Sequence, residues 1–177
     1  LRYIEPEIRE DEGEIEAAQK NKLPKLIGYN DLKGDLQLHT KWSDGSNSIM
    51  EMALAAKKLG HKYMCITDHS GQLKIANALD EKRIKKQRKE IDKANKKINN
   101  FTILQGTEVN IRADGTLDMK YNVLKELDIV IAAIHSGFKN TKEKITQRLI
   151  KAIENPNVDI IGHPFGGLIN IRPNYEM

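Results

Sequence analysis

Hydrophobic and polar positions fall into two regimes along the chain. From Gly34 onward, short apolar runs alternate with stretches of helical period. Leu36 and Leu38 alternate with polar neighbours in Gly34–His39, a strand signature. Ile49, Met52, Ala53, Ala56 and Leu59 then recur on one face of a helix expected from Ser48 to Leu59, capped by Ser46-Asn47 and stopped by Gly60. Lys62–Thr67 reads as a second strand, and Asp80 opens a long helix to about Asn99 with a narrow stripe of Ile84, Ile91 and Ile98. Phe101–Val109 is the third strand, followed by a turn at Ala113-Asp114-Gly115-Thr116. A short helix over Tyr121–Leu127 leads to a fourth strand, Ile129–Ile134. Thr141 caps a helix to about Glu154, and Val158–Gly162 is the fifth strand. Strands alternating with helices predict an α/β fold with a parallel sheet.

Residues 1–33 follow a different rule. Carboxylates crowd them (Glu5, Glu7, Glu10, Asp11, Glu12, Glu14, Glu16), while Ile4, Ile8, Ile15 and Leu23 are too sparse for a core. A short helix near Glu14–Lys20 with a breaker at Pro24 is expected, and the segment reads as a linker or docking arm. The chain opens on Leu1 and stops at Met177, soon after Arg172-Pro173-Asn174; both ends are read as cuts through a longer polypeptide.

Composition narrows the picture modestly. With 177 residues and 39% hydrophobic, the chain is sized for one core plus an arm, and wholesale disorder is excluded. A net charge of +4 permits an anionic partner without requiring one. Aromatics at 5% provide no platform of stacked rings for single-stranded nucleic acid. The single cysteine, Cys65, lies in the apolar run Tyr63–Ile66 and is expected to be a buried strand residue. Without an apolar stretch of membrane-spanning length, a cytoplasmic protein is expected.

The chemistry sits at the strand ends: Leu38-His39, Thr67-Asp68-His69, Gly106-Thr107-Glu108, Ile134-His135 and Gly162-His163. In a parallel sheet these ends share one edge, where active sites are assembled. One such histidine is ordinarily a capping or solvent-facing residue. Four of them together with Glu108 and the nearby Asp44 form a pattern that core packing does not produce. Neutral imidazoles with carboxylates suit Zn²⁺, Mn²⁺ or Fe²⁺. His61, the remaining histidine, follows Gly60 and is expected to be a solvated connector. Phosphate-loop, nucleophile-elbow and His-Glu-x-x-His motifs are absent, and Ser43, Ser70 and Ser136 read as supporting residues rather than nucleophiles.

In order along the chain, Gly34-Asp35-Leu36-Gln37-Leu38-His39-Thr40, Ser43-Asp44-Gly45, Ile66-Thr67-Asp68-His69-Ser70, Gly106-Thr107-Glu108, Ala133-Ile134-His135-Ser136 and Gly162-His163-Pro164 resemble the motifs of the PHP (polymerase and histidinol phosphatase) superfamily. Leu73-Lys74-Ile75-Ala76, Asp114–Asp118, Glu154-Asn155-Pro156, Arg172–Glu176 and the acidic arm Pro6–Glu16 are similar to the PHP domain of bacterial and archaeal family X DNA polymerases. The resemblance implies a distorted (β/α)7 barrel, of which residues 34–177 supply about five βα units, while residues 1–33 are the linker from a polymerase core on the same polypeptide. It implies two to three divalent metal ions, zinc or manganese with iron a further candidate. His39, Asp44, His69, Glu108, His135 and His163 then become the metal-holding, catalytic residues. The implied partner is DNA with free or phosphorylated 3′ ends, cleaned by 3′-5′ exonuclease or 3′-phosphatase activity.

Three departures bear on that site. Gln37 stands where the first motif has a histidine, making it at best a weak ligand; Gly166-Gly167 replace an arginine after the His-Pro pair; and the family's last Asp-x-His motif is missing. Closing strands are therefore expected to be missing, with sheet edges left unpaired. Lys74 and Arg172 are candidates for substrate phosphate, and equally ordinary surface charges. The basic helix from Lys82 to Lys97 either tracks a DNA backbone or is a solvated face, since Glu81, Glu90 and Asp92 interrupt it. A structural or catalytically weak metal-binding module, and a small-molecule phosphatase of the histidinol-phosphate type, are the rival functions.

Overall fold

The computed structural model describes residues 2–177, with the side chain of Lys74 outside the described residues. The chain divides into two compact units, Leu1–Leu32 and Lys33–Met177. The first holds helix α1 (Glu14–Gln19), and Ala18 is its single buried residue among those described.

The second unit is a parallel, curled half-barrel. Strands β1 (Gly34–Leu38), β2 (Tyr63–Ile66), β4 (Thr102–Asn110), β5 (Ile129–Ala133) and β6 (Ile160–Ile161) lie side by side in that order. The short β3 (His69–Ser70) pairs with β4, so the chain leaving β2 rejoins the sheet beside Glu108. Helices α2 (Ile49–Lys58), α3 (Glu81–Asn95), α4 (Tyr121–Leu124) and α5 (Lys142–Ile153) form the connections.

Alternation in β4 sorts the two faces. Ile103 packs with Ile49, Ala53 and Ile91 of α2 and α3, while Val109 and Ile111 pack with Ile145 and Leu149 of α5. These odd-numbered positions share the helix-covered face, so Glu108 points to the opposite, inner face. Ile91 is fully buried, and truncating such a side chain to alanine costs about 2–5 kcal/mol.

Several element ends differ from expectation. Ser48 itself, rather than Ser46-Asn47, caps α2: Glu51 N–H donates to Ser48 Oγ at 3.3 Å, and Ser48 N–H donates back to Glu51 Oε2 at 2.7 Å. Gly60 (φ 89°) ends the helix as expected, with His61 N–H donating to Ala56 O. His61 is half-buried, not a solvated connector. Helix α3 stops at Asn95, short of Asn99, because the Asn95 amide bonds both backbone groups of Ile103 at 2.8 Å. The last strand contracts to Ile160–Ile161.

Candidate metal centre

Parallel pairing brings the strand ends to one edge. His39 follows β1, His69 opens β3 in register with Glu108, and His135 and His163 each lie just past β5 and β6. Asp44 arrives on the turn after His39, closed by Gly45 N–H donating to Thr40 O at 2.9 Å. A Cβ at Gly45 would stand 2.5 Å from His39 O, so the turn admits no larger residue without moving.

Glu108 is the hub. Its side chain is 2% exposed. Oε1 lies 2.9 Å from His135 Nε2 and 2.8 Å from His163 Nε2. Oε2 accepts from Gln37 Nε2 at 3.1 Å and stands 3.3 Å from His39 Nε2. Successive imidazoles touch: His39 stacks on His69 at 4.6 Å, His69 meets His135 edge-on at 5.3 Å, and His135 meets His163 at 5.2 Å. Asp44 faces the other side of the pair, 3.9 Å from His39 Nδ1 and 3.7 Å from His69 Nε2.

Burial pushes the Glu108 carboxyl up, but hydrogen bonds from His135, His163 and His39 outweigh it and hold Glu108 well below the usual carboxylate range. The same contacts raise His39 and His163 above an ordinary imidazole, against the opposing effect of their own burial. His69 moves the other way, lowered chiefly by burial. Its neutral ring keeps a lone pair available at pH 7.

The donor set fits divalent cations. Nδ1 of His39, His69 and His135 are buried without a hydrogen-bond partner. The gaps of 3.7 Å (Asp44 to His69) and 3.9 Å (His69 Nδ1 to Glu108 Oε2) are too long for hydrogen bonds. They suit two ligands of one ion, which lie roughly 3–4 Å apart when each is about 2 Å from the metal. Among the described residues two ligand groups meet this test, His39–Asp44–His69 and His69–Glu108–His135, sharing His69. His163 joins through Glu108, and Gln37 presents its amide nitrogen, a donor, to the carboxylate.

Of the phosphate candidates, Lys74 has its side chain outside the described residues. Arg172 is half-buried, its guanidinium 3.6 Å above the Phe138 ring and its Nε donating to Gly166 O at 2.8 Å. It is near enough to His163 to oppose that ring's protonation. Gly166 explains its arrival: at φ 61°, any Cβ there would strike the Tyr175 ring at 2.1 Å. The glycines after His163-Pro164 thus let the 172–175 segment fold back.

Two supporting residues escaped the sequence reading. Gln87 interrupts the apolar stripe of α3 between Ile84 and Ile91, and Arg148 interrupts that of α5 between Ile145 and Leu149. Both are buried, and a polar residue on an apolar stripe was the available signal. Arg148 donates to Ser136 O at 2.7 Å and to Ile111 O, tying the turn after His135 to the end of β4.

Fold and cluster together define an α/β protein with a histidine–carboxylate centre of the kind that holds divalent cations, set at the carboxyl edge of a parallel sheet. The chain belongs to the PHP domain family, whose sequence profile matches residues 35–173. It is 50% identical over all 177 residues to the DNA polymerase/3′-5′ exonuclease PolX of Bacillus subtilis (strain 168), spanning 31% of that protein. It is 40% identical over 135 residues to a probable phosphatase of Thermoanaerobacter sp. (strain X514), covering 73% of this chain and 53% of the relative. The chain therefore spans about half or less of these relatives' lengths. In fold it is similar to the histidinol phosphate phosphatase of Lactococcus lactis subsp. lactis Il1403, solved with zinc, L-histidinol and phosphate. That match has a TM-score of 0.52 at 19% identity and covers 76% of this chain and 58% of the other. No helix among the described residues is long and apolar enough to cross a membrane.

Proposed function

We propose that this domain is a metal-dependent phosphoesterase that hydrolyses DNA 3′ ends, as 3′-5′ exonuclease or 3′-phosphatase, beside a polymerase core on the same polypeptide. One observation carries the reading: a buried, ionised Glu108 ringed by four imidazoles, with Asp44 across from two of them. The identity with a polymerase/exonuclease over the whole chain favours DNA over a small phosphomonoester. On this reading residues 1–33 are the linker to that core and residues 34–177 the PHP domain.

His39, Asp44, His69, Glu108, His135 and His163 would hold two to three divalent ions, zinc or manganese, with iron a further candidate. Such ions acidify water toward neutrality and offset charge on the phosphoryl oxygens. Glu108 and Asp44 provide the anionic charge that such ions need. His69, neutral at pH 7, offers nitrogen without first losing a proton. Gln37 anchors the Glu108 carboxylate and is at most a weak ligand through its oxygen. Arg172 would bind the scissile or neighbouring phosphate from its place above the Phe138 ring.

The test uses the 177-residue chain with Mn²⁺ and three substrates: 3′-phosphorylated DNA, 3′-hydroxyl DNA and histidinol phosphate. Release of phosphate or mononucleotides from DNA, lost in His135→Ala, is expected. Turnover of histidinol phosphate alone would move the domain to the small-molecule phosphatases. Metal binding without any turnover would make it a structural module, a reading that Gln37 in the first motif favours.

A further inference from the structure

We propose that Asp68 is a positioning residue of this centre: a buried carboxylate that fixes the 39–44 turn so that His39 and Asp44 face His69. The inference rests on the metal-binding reading above. Asp68 is 1% exposed and reaches Gln87 of α3. Four donors converge on it at 2.6 Å each. Thr40 N–H and Ser43 Oγ–H reach Oδ1, and Thr40 Oγ1–H and Gln87 Nε2 reach Oδ2. Three of the four come from the turn that carries Asp44, and Ser43 Oγ also stands 3.2 Å from Asp44 Oδ1. Asp68 itself immediately precedes His69, so one carboxylate couples the backbone of two ligand-bearing segments.

The network also dictates that this group be a carboxylate. Ile84 O can only accept, so Gln105 must turn Nε2 toward it, at 2.9 Å. The same Nε2 donates to Gln87 Oε1 at 3.0 Å, which leaves Gln87 Nε2 facing Asp68. Thr40 N–H can only donate, so an amide at position 68 must keep its oxygen in the Oδ1 place, and that sets NH₂ against the NH₂ of Gln87. Flipping Gln87 to relieve that clash transfers it to Gln105, where the Ile84 carbonyl blocks any further flip. Buried polar chains of this kind tolerate one polarity only.

The experiment measures Mn²⁺ affinity by electron paramagnetic resonance, with thermal unfolding in chelator as the control for folding. Asp68→Asn is expected to bind Mn²⁺ roughly 10- to 100-fold more weakly, the range seen when a group supporting a metal ligand is lost. Gln87→Glu alone, at a side chain that bonds Asp68 and Gln105 rather than a candidate ligand, is expected to weaken binding as well, by setting two carboxylates together. The double variant Asp68→Asn/Gln87→Glu restores one donor and one acceptor, and is expected to recover most of the affinity. In an Asp44→Ala background, Asp68→Asn should add little, because both act through one turn. Wild-type affinity in both single variants, or a loss that adds fully to that of Asp44→Ala, overturns the proposal. If Asp68→Asn does not fold, Gln87→Glu alone decides between these outcomes. A wild-type chain that takes up no Mn²⁺ overturns the metal reading itself, and this proposal with it.

Discussion

His163 reaches Glu108 from a backbone conformation that L-residues avoid: its Nε2 stands 2.8 Å from Glu108 Oε1 while its φ is 29°. Pro164 follows, which disfavours ordinary helical geometry for the residue before it. Left-handed backbone costs an L-residue about 1 kcal/mol or more, and such strain gathers where a side chain must be aimed. His163→Gly and His163→Ala both remove the ring, but only glycine relieves the backbone. The glycine variant is expected to unfold with a stability about 1 kcal/mol above the alanine variant in chelator. Equal midpoints would remove strain from the account.

Protons and cations compete for the same imidazoles. Because hydrogen bonds to Glu108 raise His39 and His163, metal affinity should climb as pH rises from about 6.5 through their elevated values. Stability in chelator should show the opposite trend. A raised histidine stabilises the fold fully below its unfolded pKa of about 6.5, and that contribution is lost as pH rises through the folded value. Glu108, lowered, contributes above about 4.3 and loses its share as pH falls toward its folded value. These are two views of one set of contacts and count once. His69, lowered by burial, works against the fold below about 6.5. Calorimetric Mn²⁺ titration and chelator melts from pH 5 to 9 check both trends; an affinity flat across that range would contradict them.

Local signals made the strand ends and the side chains that gather there legible in the sequence. Alternation located β1, a continuous apolar run located β5, and histidine or carboxylate at each terminus marked the edge where His39, Glu108, His135 and His163 meet. What sequence could not reveal depends on contacts distant along the chain. Strand β3 exists because His69 and Ser70 find Glu108 and Val109, almost 40 positions on. Helix α3 ends where Asn95 meets Ile103, and Asp68 gains its role from Gln87. Apolar periodicity is silent on which polar groups will share a buried partner.

Gly106 sits two positions before Glu108 on the inner face of β4, where there is no room for a methyl group. A Cβ there would stand 2.5 Å from Ile129 O, 2.8 Å from Cys65 Sγ and 2.9 Å from Thr67 Cγ2. One of these is backbone of the adjacent strand, so the sheet rather than a side chain must yield. Gly106→Ala is expected to cost about 1–3 kcal/mol and to weaken Mn²⁺ binding by shifting Glu108. Chemical denaturation gives the first quantity and metal titration the second. A neutral substitution would show that β4 and β5 can separate freely.

Cys65 is fully buried in β2 beside β4, and burial pushes its thiol up to about 12. At pH 8 the thiolate is then on the order of one part in ten thousand, against about a quarter for a free thiol. An aromatic disulfide reagent is expected to leave Cys65 untouched in the folded chain and to react within seconds in guanidinium. Rapid labelling under native conditions would place β2 on the surface, contrary to the packing of Met64 and Ile66 against α2 and α3.

On the proposed function, Arg172 would separate phosphate binding from chemistry. Its guanidinium lies 3.6 Å above the Phe138 ring with Nε donating to Gly166 O, an arrangement that would leave its two amino groups to meet an anion near His163. A contact made equally to substrate and transition state changes KM and leaves kcat alone. Arg172→Ala is therefore expected to raise KM for 3′-phosphorylated DNA by roughly 10- to 100-fold, the worth of a hydrogen bond to a charged group, with kcat nearly unchanged. Arg172→Lys keeps the charge but loses the planar fork and the stacking, and should recover only part of the loss. Steady-state kinetics on the two variants, with Mn²⁺ affinity as a control, provide the measurement. If kcat falls while KM holds, Arg172 acts on the transition state; if neither moves, it is a surface charge resting on an aromatic ring.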